Sequence, residues 1–271
     1  MPDTPTGAMP DTPLLGSTEP PPFERFNEGG KAPILLVCDH ASARIPSALG
    51  TLGLDKAELA RHIAIDIGAA ALTMLLARAF DAPAVLASYS RLVIDCNREP
   101  ADHTSIREIS EGVIVPGNRR LATEQRRARI EAVFDPYHAA IAESVDAMER
   151  GGGVPALVSV HSFTPRFRGF ERPWQVGILS NRDRRVADPL LAALSTDPAL
   201  VVGDNEPYSA MRFAGYTMDT HASQRGLPSA MIEVRQDEIG HEEGVERWAK
   251  RLFGALEPVF AQSDLYRKLS A

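Results

Sequence analysis

The sequence is poor in cysteine and in long apolar runs, and each absence excludes a class of protein. Only two cysteines, Cys38 and Cys96, occur in 271 residues, and both fall in predicted interior strands, so we expect no disulfide framework. No run approaches the roughly 18 apolar residues of a membrane-spanning helix. No basic region followed by an apolar core marks a signal peptide. We therefore expect a cytoplasmic protein with no membrane partner.

Clustered positive charge is also lacking. The chain has 29 basic against 36 acidic residues, a formal net charge of −7, and no basic block or basic-aromatic stripe. Proteins that bind nucleic acid or anionic membranes usually carry such a patch. We expect neither of these partners and instead expect a small-molecule substrate, while the oligomeric state stays open.

The first 30 residues differ in composition from the rest of the chain. They are rich in proline and small polar residues and contain two copies of Met-Pro-Asp-Thr-Pro. Such a segment cannot bury enough apolar surface to fold. We predict a disordered or flexible tail over residues 1–30 and one catalytic domain over residues 31–271, a length sufficient for a large core.

Apolar runs alternate with helical patterns along this domain. Helices are predicted over residues 55–79, with Asp55 as the N-cap, over 121–148, with a kink or break at Pro136, and over 242–260. A polar stretch over residues 99–118 is predicted to be a long loop. Alternation of this kind indicates a single α/β domain with a mixed, mostly parallel sheet and helices on both faces.

Polar side chains that can bind metals, protons or carboxylates follow four of the apolar runs. In an open α/β sheet, ligands bind outside the carboxyl ends of the strands. The pattern therefore predicts an enzyme. The four runs are Ile34–Cys38, followed by Asp39 and His40; residues 91–94, followed by Asp95, Asn97 and Arg98; residues 156–160, followed by His161 and Ser162; and residues 229–232, followed by Glu233.

These side chains together suggest metal-assisted hydrolysis of an acidic amide. His40 and His161 can coordinate zinc, with a carboxylate as the third protein ligand. Glu233 can take a proton from the attacking water and return it to the leaving group. Arg98 offers a planar fork for a substrate carboxylate, and Asn97 can add an amide donor. No H-E-x-x-H motif is present, so the inference of metal-assisted hydrolysis rests on the residue types and the order of the segments.

The same segments resemble the N-formylglutamate amidohydrolase (N-formylglutamate deformylase) family over roughly residues 32–260. Several matching pieces in the right order are more specific than any one of them. The matching pieces are residues 38–46, 66–69, 89–98, 161–162, 205–208, 215–221, 226–228 and 232–237.

The resemblance implies a zinc-dependent hydrolase that converts N-formyl-L-glutamate to formate and L-glutamate, with a phosphorylase/hydrolase-like fold related to zinc carboxypeptidases. It makes His40 and His161 zinc ligands, Asn97-Arg98 the substrate-carboxylate clamp and Glu233 the base. The carboxypeptidase pattern has an acidic ligand where this chain has Ala43. The resemblance offers Asp66 as the third ligand because the segment that contains it matches the family. Asp39 is the alternative.

Several roles stay open at this point. His221 could be a catalytic oxyanion donor, a substrate contact or a structural histidine, and Arg91 could bind substrate or help to stabilise the oxyanion. His62 lies one helical turn from Asp66 and could also belong to the site. The alternative functions are deacylation of another N-acyl or N-formyl amino acid, or metal-free binding of acidic amino acids. Zinc content would separate the enzyme from the binding protein.

Overall fold

A mixed sheet of seven strands forms the centre of the protein in a computed structural model, which describes residues 13–208 and 215–269. The strand order is β1-β3-β2-β6-β11-β9-β10, and two short hairpins, β4-β5 and β7-β8, lie outside this sheet. Strands β3, β2, β6 and β11 are parallel, whereas β1 and the β9-β10 pair run antiparallel to their neighbours β3 and β11. The strands are β1 (Phe23–Phe26), β2 (Ile34–Cys38), β3 (Ala84–Ala87), β4 (Ile109–Ser110), β5 (Val113–Ile114), β6 (Ala156–Phe163), β7 (Arg166–Phe167), β8 (Phe170–Glu171), β9 (Val176–Leu179), β10 (Val202–Asp204) and β11 (Ser229–Arg235).

Helices cover both faces of the sheet, which confirms the predicted fold class. Helices α2, α5 and α7 pack on one face, and α4 and α6 pack on the other. No helix within the described residues is long and apolar enough to cross a membrane. The helices are α1 (Lys56–Leu59), α2 (Ala69–Phe80), α3 (Thr123–Arg129), α4 (Asp135–Arg150), α5 (Ala187–Leu194), α6 (Tyr216–His221) and α7 (Glu242–Phe260).

Strand β2 is apolar at every position because it is buried on both faces. Ile34, Leu36 and Cys38 point into the core beneath α2 and α7, whereas Leu35 and Val37 point into the core beneath α4. Successive side chains of a strand alternate between faces, so a central strand covered on both sides needs an unbroken apolar run. Both cysteines are buried and free, but only Cys38 lies in an interior strand as predicted, because Cys96 lies in a turn.

The single helix predicted over residues 55–79 is wrong in its middle. Asp55 does cap α1 in a capping box with Glu58, but residues 60–68 form turns and the chain re-enters a helix only at α2. Gly68 precedes α2 with a φ of 80°, a left-handed conformation that glycine adopts without strain. In this connection the backbone N–H of Asp66 donates to the carbonyl of His40 at 3.1 Å. The interruption therefore brings Asp66 next to His40.

Residues 92–94 are buried, but residues 91–93 form a turn, so the strand predicted over residues 91–94 is wrong. The sheet position beside β3 is already occupied by β1, which pairs with it in antiparallel register. Strand β1 lies at Phe23–Phe26, so this part of the predicted flexible tail is ordered in the sheet. Residues 1–12 lie outside the described residues, and the prediction for them stays a prediction.

The helix predicted over residues 121–148 is present but is not broken at Pro136. A π-helical turn at Ile130–Phe134 joins α3 to α4, and Pro136 lies in the first turn of α4. The helical backbone continues through Phe134 into α4, so the change from π-helical to α-helical hydrogen bonding directly before Pro136 accommodates the N–H that proline lacks. The predicted loop over residues 99–118 is largely irregular and contains the small β4-β5 hairpin.

Candidate active site

Three neighbouring strands carry His40, His161 and Glu233 to one end of the sheet. Strand β6 lies between β2 and β11 and is parallel to both. His161 and Glu233 are register partners, so their side chains leave the same face of the sheet. His40 follows the end of β2 by two residues. All three side chains are buried, as expected for residues at the base of a site rather than on its rim.

A compact triad forms where Asp66 reaches the two histidines. Asp66 Oδ2 lies 3.2 Å from His40 Nδ1 and 2.8 Å from His161 Nδ1. One donor atom from each of the three residues lies within 4.8 Å of the others. Two imidazole nitrogens and a carboxylate are a ligand set that binds divalent metal ions. These three residues are the predicted metal ligands, and together they can hold a metal ion.

Two further carboxylates hold the opposite nitrogens of the imidazoles. His40 Nε2 lies 2.7 Å from Asp95 Oδ1, and His161 Nε2 lies 3.0 Å from Asp39 Oδ2. A carboxylate in this position fixes the tautomer and orientation of a metal-binding histidine, leaving its other nitrogen free to coordinate. Asp39, the alternative third ligand, therefore lies behind His161 and not in the triad.

Asp39 and Asp95 are themselves held by other buried groups. Asp39 accepts hydrogen bonds from the hydroxyls of Tyr137, at 2.8 Å, and Thr217, at 2.6 Å. Asp95 accepts from Arg91 Nη2 at 3.0 Å and from the backbone N–H of Asn97 at 3.0 Å. These contacts fix the outer carboxylates before any ligand enters the site.

The electrostatics of the triad favour a cation. Burial raises the pKa of Asp66, but the charge of His40 and the hydrogen bond to His161 outweigh it and hold this pKa well below its usual value. Burial lowers the pKa of His161, but its hydrogen bonds to Asp39 and Asp66 outweigh burial and raise this pKa well above its usual value. Among the described residues, Arg91 is the permanently charged side chain that contacts the three linked aspartates, through Asp66 and Asp95. When both imidazoles are neutral, the three aspartates and Arg91 together carry two unbalanced negative charges, which a divalent cation balances.

Glu233 lies in the same site but differs from the aspartates in its environment. Burial, with little compensation from hydrogen bonds, raises its pKa to about 7. Its Oε2 atom is buried and has no hydrogen-bond partner among residues 13–208 and 215–269. A carboxylate with a pKa near neutrality and a free oxygen can both take and release a proton.

Asn97 and Arg98 line the same cavity. Asn97 Oδ1 accepts a hydrogen bond from the backbone N–H of Thr217 at 3.2 Å. Gly215, with a φ of 76°, packs so closely on this amide that an added Cβ would overlap it. Arg98 donates only to the carbonyl of Asn97, at 3.3 Å, and forms no ion pair within the described part of the chain. Its guanidinium is therefore available to an anion.

Arg91 lines the cavity but is largely engaged by the site's own carboxylates. Its Nη1 lies 3.1 Å from Asp66 Oδ1, and its Nη2 lies 3.0 Å from Asp95 Oδ2. The guanidinium thus joins the triad carboxylate to the partner of His40.

His221 is the one predicted site residue that the structure does not bring to the cavity. It is buried in α6, its ring stacks on His138, and its Nε2 lies 2.9 Å from His138 Nδ1. His138 Nε2 in turn lies 2.8 Å from the carbonyl of Cys96. Burial lowers the pKa of both rings to about 4, so both are neutral at pH 7. Of the roles left open for His221, the structural one agrees with these contacts.

A cavity of about 1260 Å³ opens above the triad. Two small hairpins contribute to its wall, β4-β5 through Ile109 and Ser110 and β7-β8 through Arg166 and Phe167. Sequence reasoning missed Arg107, which lines this cavity, and it assigned no role to Asp95. The sequence signal for Asp95 was its place directly after the apolar run of residues 91–94. His62 also lines the cavity, with Nδ1 3.5 Å from Asp66 Oδ1.

Two solved structures are similar to this chain over most of its length. The crystal structure of the gene product Atu2144 from Agrobacterium tumefaciens is 36% identical, superposes with a TM-score of 0.89, and covers 92% of this chain and 98% of its own. N-formylglutamate amidohydrolase from Ralstonia eutropha JMP134 is 19% identical, with a TM-score of 0.65 over 89% of this chain and 97% of its own, a likeness of fold. A search of curated proteins found no match.

The family match covers most of the chain. The model of the N-formylglutamate amidohydrolase family matches residues 32–240, a span that includes the triad, Glu233 and the Asn97-Arg98 pair. The predictions of a hydrolase that acts on a linear amide bond, and of N-formylglutamate-like substrates, are thereby confirmed. The chain belongs to the N-formylglutamate amidohydrolase family.

Proposed function

We propose that this protein is a zinc-dependent deformylase that hydrolyses N-formyl-L-glutamate to formate and L-glutamate. The observation that carries the proposal is the buried His40–Asp66–His161 triad at the base of a cavity, with the unpartnered carboxylate of Glu233 beside it. Metal ligands and a proton acceptor on one cavity wall are what amide hydrolysis by water requires.

Zinc is the metal that suits this donor set best. His40 and His161 offer nitrogen, Asp66 offers oxygen, and catalytic zinc sites commonly combine three such protein ligands with one open position. Zinc in such a site acts as a Lewis acid and lowers the pKa of water to about 7. The outer carboxylates, Asp39 and Asp95, keep both imidazoles in the coordinating orientation.

Glu233 is proposed to carry the proton. In its ionised form, the free Oε2 takes a proton from the water that attacks the formyl carbon. It then donates this proton to the amine nitrogen as the C–N bond breaks, so that formate and the free amine leave. Its pKa of about 7 suits both halves of this cycle near neutral pH.

Arg98 is proposed to bind the α-carboxylate of the substrate, with Asn97 beside it. The support is that this guanidinium reaches the cavity without an acidic partner within the described residues. Arginine can form two parallel hydrogen bonds to a carboxylate. Arg91 is proposed to position Asp66 and the partner of His40, because its terminal nitrogens already contact Asp66 and Asp95.

A second candidate function is deacylation of a larger N-acyl amino acid. The cavity volume of about 1260 Å³ favours it, since pockets for drug-sized ligands span about 300–1,000 Å³ and a formyl group needs far less. Both candidate functions use the same pocket wall to select the acyl group, so they differ only in substrate.

The test is turnover of the zinc-loaded protein against matched amides. N-formyl-L-glutamate, N-acetyl-L-glutamate and N-formyl-L-leucine separate the acyl group from the acidic side chain. We expect N-formyl-L-glutamate to have the highest kcat/KM. A preference for the acetyl compound would favour the second candidate. A protein that binds these amides without zinc and hydrolyses none of them would be a binding protein, and the deformylase proposal would fail.

A further inference from the structure

Arg107 is a second arginine of the cavity wall whose charge lacks an acidic partner. It lies in the long connection between Asn97-Arg98 and the β4-β5 hairpin, and it lines the same cavity as Arg98. Its Nε atom is buried and has no hydrogen-bond partner among the residues that the structure describes. Leaving a donor of a charged group buried and unpaired costs free energy, so the position calls for an explanation.

The backbone of Arg107 is anchored by buried side chains. Asn118 Nδ2 donates to the carbonyl of Arg107 at 2.8 Å and to that of Leu92 at 2.9 Å. The Oδ1 of Asn118 accepts from Arg129 Nη1 at 2.7 Å, and this same nitrogen donates to the carbonyl of Val93 at 2.9 Å. Asn118 and Arg129 are both buried. This network ties Arg107 to the turn that precedes Asn97-Arg98.

The charges around Arg107 leave room for an anion. Burial and the positive charges of Arg91 and Arg98 lower its pKa, and Asp95 acts in the opposite direction. Asp95 already contacts His40 and Arg91. Arg98 and Arg107 therefore face one cavity as two cations for which the described residues provide no ion pair.

Two of the acidic residues of the cavity wall are occupied elsewhere. Asp204 pairs with Arg184 at 2.8 Å, and Glu111 lies 3.8 Å from Arg61. Asp66 and Glu233 belong to the proposed catalytic centre, on the floor of the cavity. Glu206 also lines the cavity, but among the described residues it forms no ion pair with either arginine. The pair of arginines is thus matched by a ligand that brings two negative charges of its own.

We propose that Arg107 binds a second carboxylate of the substrate, the γ-carboxylate of an N-formylglutamate, while Arg98 binds the α-carboxylate. This inference rests on the proposed deformylase function and makes Arg107 the residue that selects acidic side chains. A guanidinium buried beside a second cation favours a carboxylate over a neutral amide at the same position, because only the carboxylate compensates its charge.

The test compares N-formyl-L-glutamate with N-formyl-L-glutamine, whose side-chain amide has the same shape without the charge. For the wild-type protein we expect kcat/KM to favour the glutamate compound by about 10- to 150-fold, the range for a charged hydrogen bond. Arg107→Gln should lose most of this preference by slowing the glutamate compound and should change the glutamine compound little. Arg98→Gln should slow both compounds.

Arg168→Gln is the matched control, because Arg168 also lines the cavity but is exposed and stacks on Phe167. It should keep the wild-type preference. If Arg107→Gln does not fold, judged by circular dichroism, the same comparison with Arg107→Met decides, since methionine is also a long, unbranched side chain but carries no charge. An unchanged preference in the folded Arg107 variant would overturn the assignment.

The inference and the proposed function fail in different ways. If the zinc-loaded wild-type protein hydrolyses neither compound, the deformylase proposal fails, and calorimetric binding of L-glutamate and L-glutamine then tests Arg107. A preference for L-glutamate that disappears in Arg107→Gln supports the second-carboxylate site. Equal binding of the two amino acids by the wild-type protein overturns it.

Discussion

The Oδ2 atom of Asp66 lies 2.8 Å from Nδ1 of His161, the shortest contact within the candidate metal triad. Without a metal, this contact needs a proton between the two atoms. The carboxylates on either side of the ring raise the pKa of His161 well above its usual value, against the effect of burial. A metal ion and this proton therefore compete for the same nitrogen.

The first prediction concerns this competition. At pH 7 the metal-free protein carries a proton on His161 that zinc must displace, so zinc affinity should rise with pH, by about tenfold per unit for each proton released. Calorimetric titration with zinc in two buffers of different ionisation enthalpy measures the protons released. An apparent binding enthalpy that is the same in both buffers would contradict the prediction.

The second prediction concerns the ligands themselves. His40→Ala and His161→Ala each remove one of three protein ligands and should lose most of the bound zinc while the fold persists. Elemental analysis of the purified variants measures this loss, and circular dichroism checks the fold. His103→Ala is the control, because the side chain of His103 is 95% exposed. Full zinc content in either triad variant would remove that histidine from the site.

The third prediction concerns the outer carboxylate of His40. Asp95→Asn keeps the size of the side chain and an oxygen that can accept from His40 Nε2, but it removes the negative charge. Loss of such a partner typically lowers metal affinity by about 10- to 100-fold. Competition with a zinc chelator measures the change, with Asp102→Asn as a control in the same loop. Wild-type affinity in Asp95→Asn would show that the charge does not support the metal.

The sequence was informative where the site lies on strands. Unbroken apolar runs predicted β2, β6 and β11, and the polar residues at their ends predicted His40, His161 and Glu233. Parallel neighbours necessarily bring their carboxyl ends to one edge, so the grouping followed from fold class. The structure places the two histidines and Asp66 together, whereas their role as metal ligands stays a prediction and Asp66 was offered by the family resemblance alone.

The sequence was misleading where the site lies on turns. Residues 60–68 have helical spacing, yet they form the connection that brings Asp66 to His40. Residues 91–94 are apolar enough for a strand, but β1 already covers that edge of β3. The position of Arg107 depends on the distant residues Asn118 and Arg129. Contacts of this kind are decided by tertiary packing and leave no local pattern in the chain.

The fourth prediction concerns the proposed α-carboxylate site. Arg98→Lys keeps a positive charge but replaces a two-pronged donor with a point charge. It should raise KM for N-formyl-L-glutamate by about tenfold and leave zinc content unchanged, because within the described residues Arg98 donates to the carbonyl of Asn97 and has no hydrogen bond or ion pair with the triad. Steady-state kinetics with parallel metal analysis measures both. An unchanged KM would move the carboxylate site to another cation of the cavity.

The fifth prediction concerns Glu233 and tests whether this residue carries a proton in the reaction or only supports the structure. Glu233→Gln keeps the size of the side chain and one oxygen but cannot exchange a proton. General acid–base catalysis typically raises a reaction rate by roughly 10²–10⁴-fold. We therefore expect kcat of the variant to fall by roughly the same factor, while zinc content and KM stay near wild type. A folded, zinc-loaded variant within a few-fold of wild-type kcat would rule the role out.

Stability gives an independent measure of the same carboxyl group. Its pKa is about 7 in the folded protein and about 4.3 in an unfolded chain, so between these values the folded state holds more protons. The free energy of unfolding of the metal-free protein should therefore fall as pH rises from about 4.3 to about 7. Glu233→Gln removes this titration and should be more stable than wild type above pH 7, by on the order of 1–3 kcal/mol. Urea unfolding of both metal-free proteins at pH 5 and pH 8 measures the difference. A variant that is less stable than wild type at pH 8 would contradict the prediction, because Glu233 would then be charged and well compensated in its buried position.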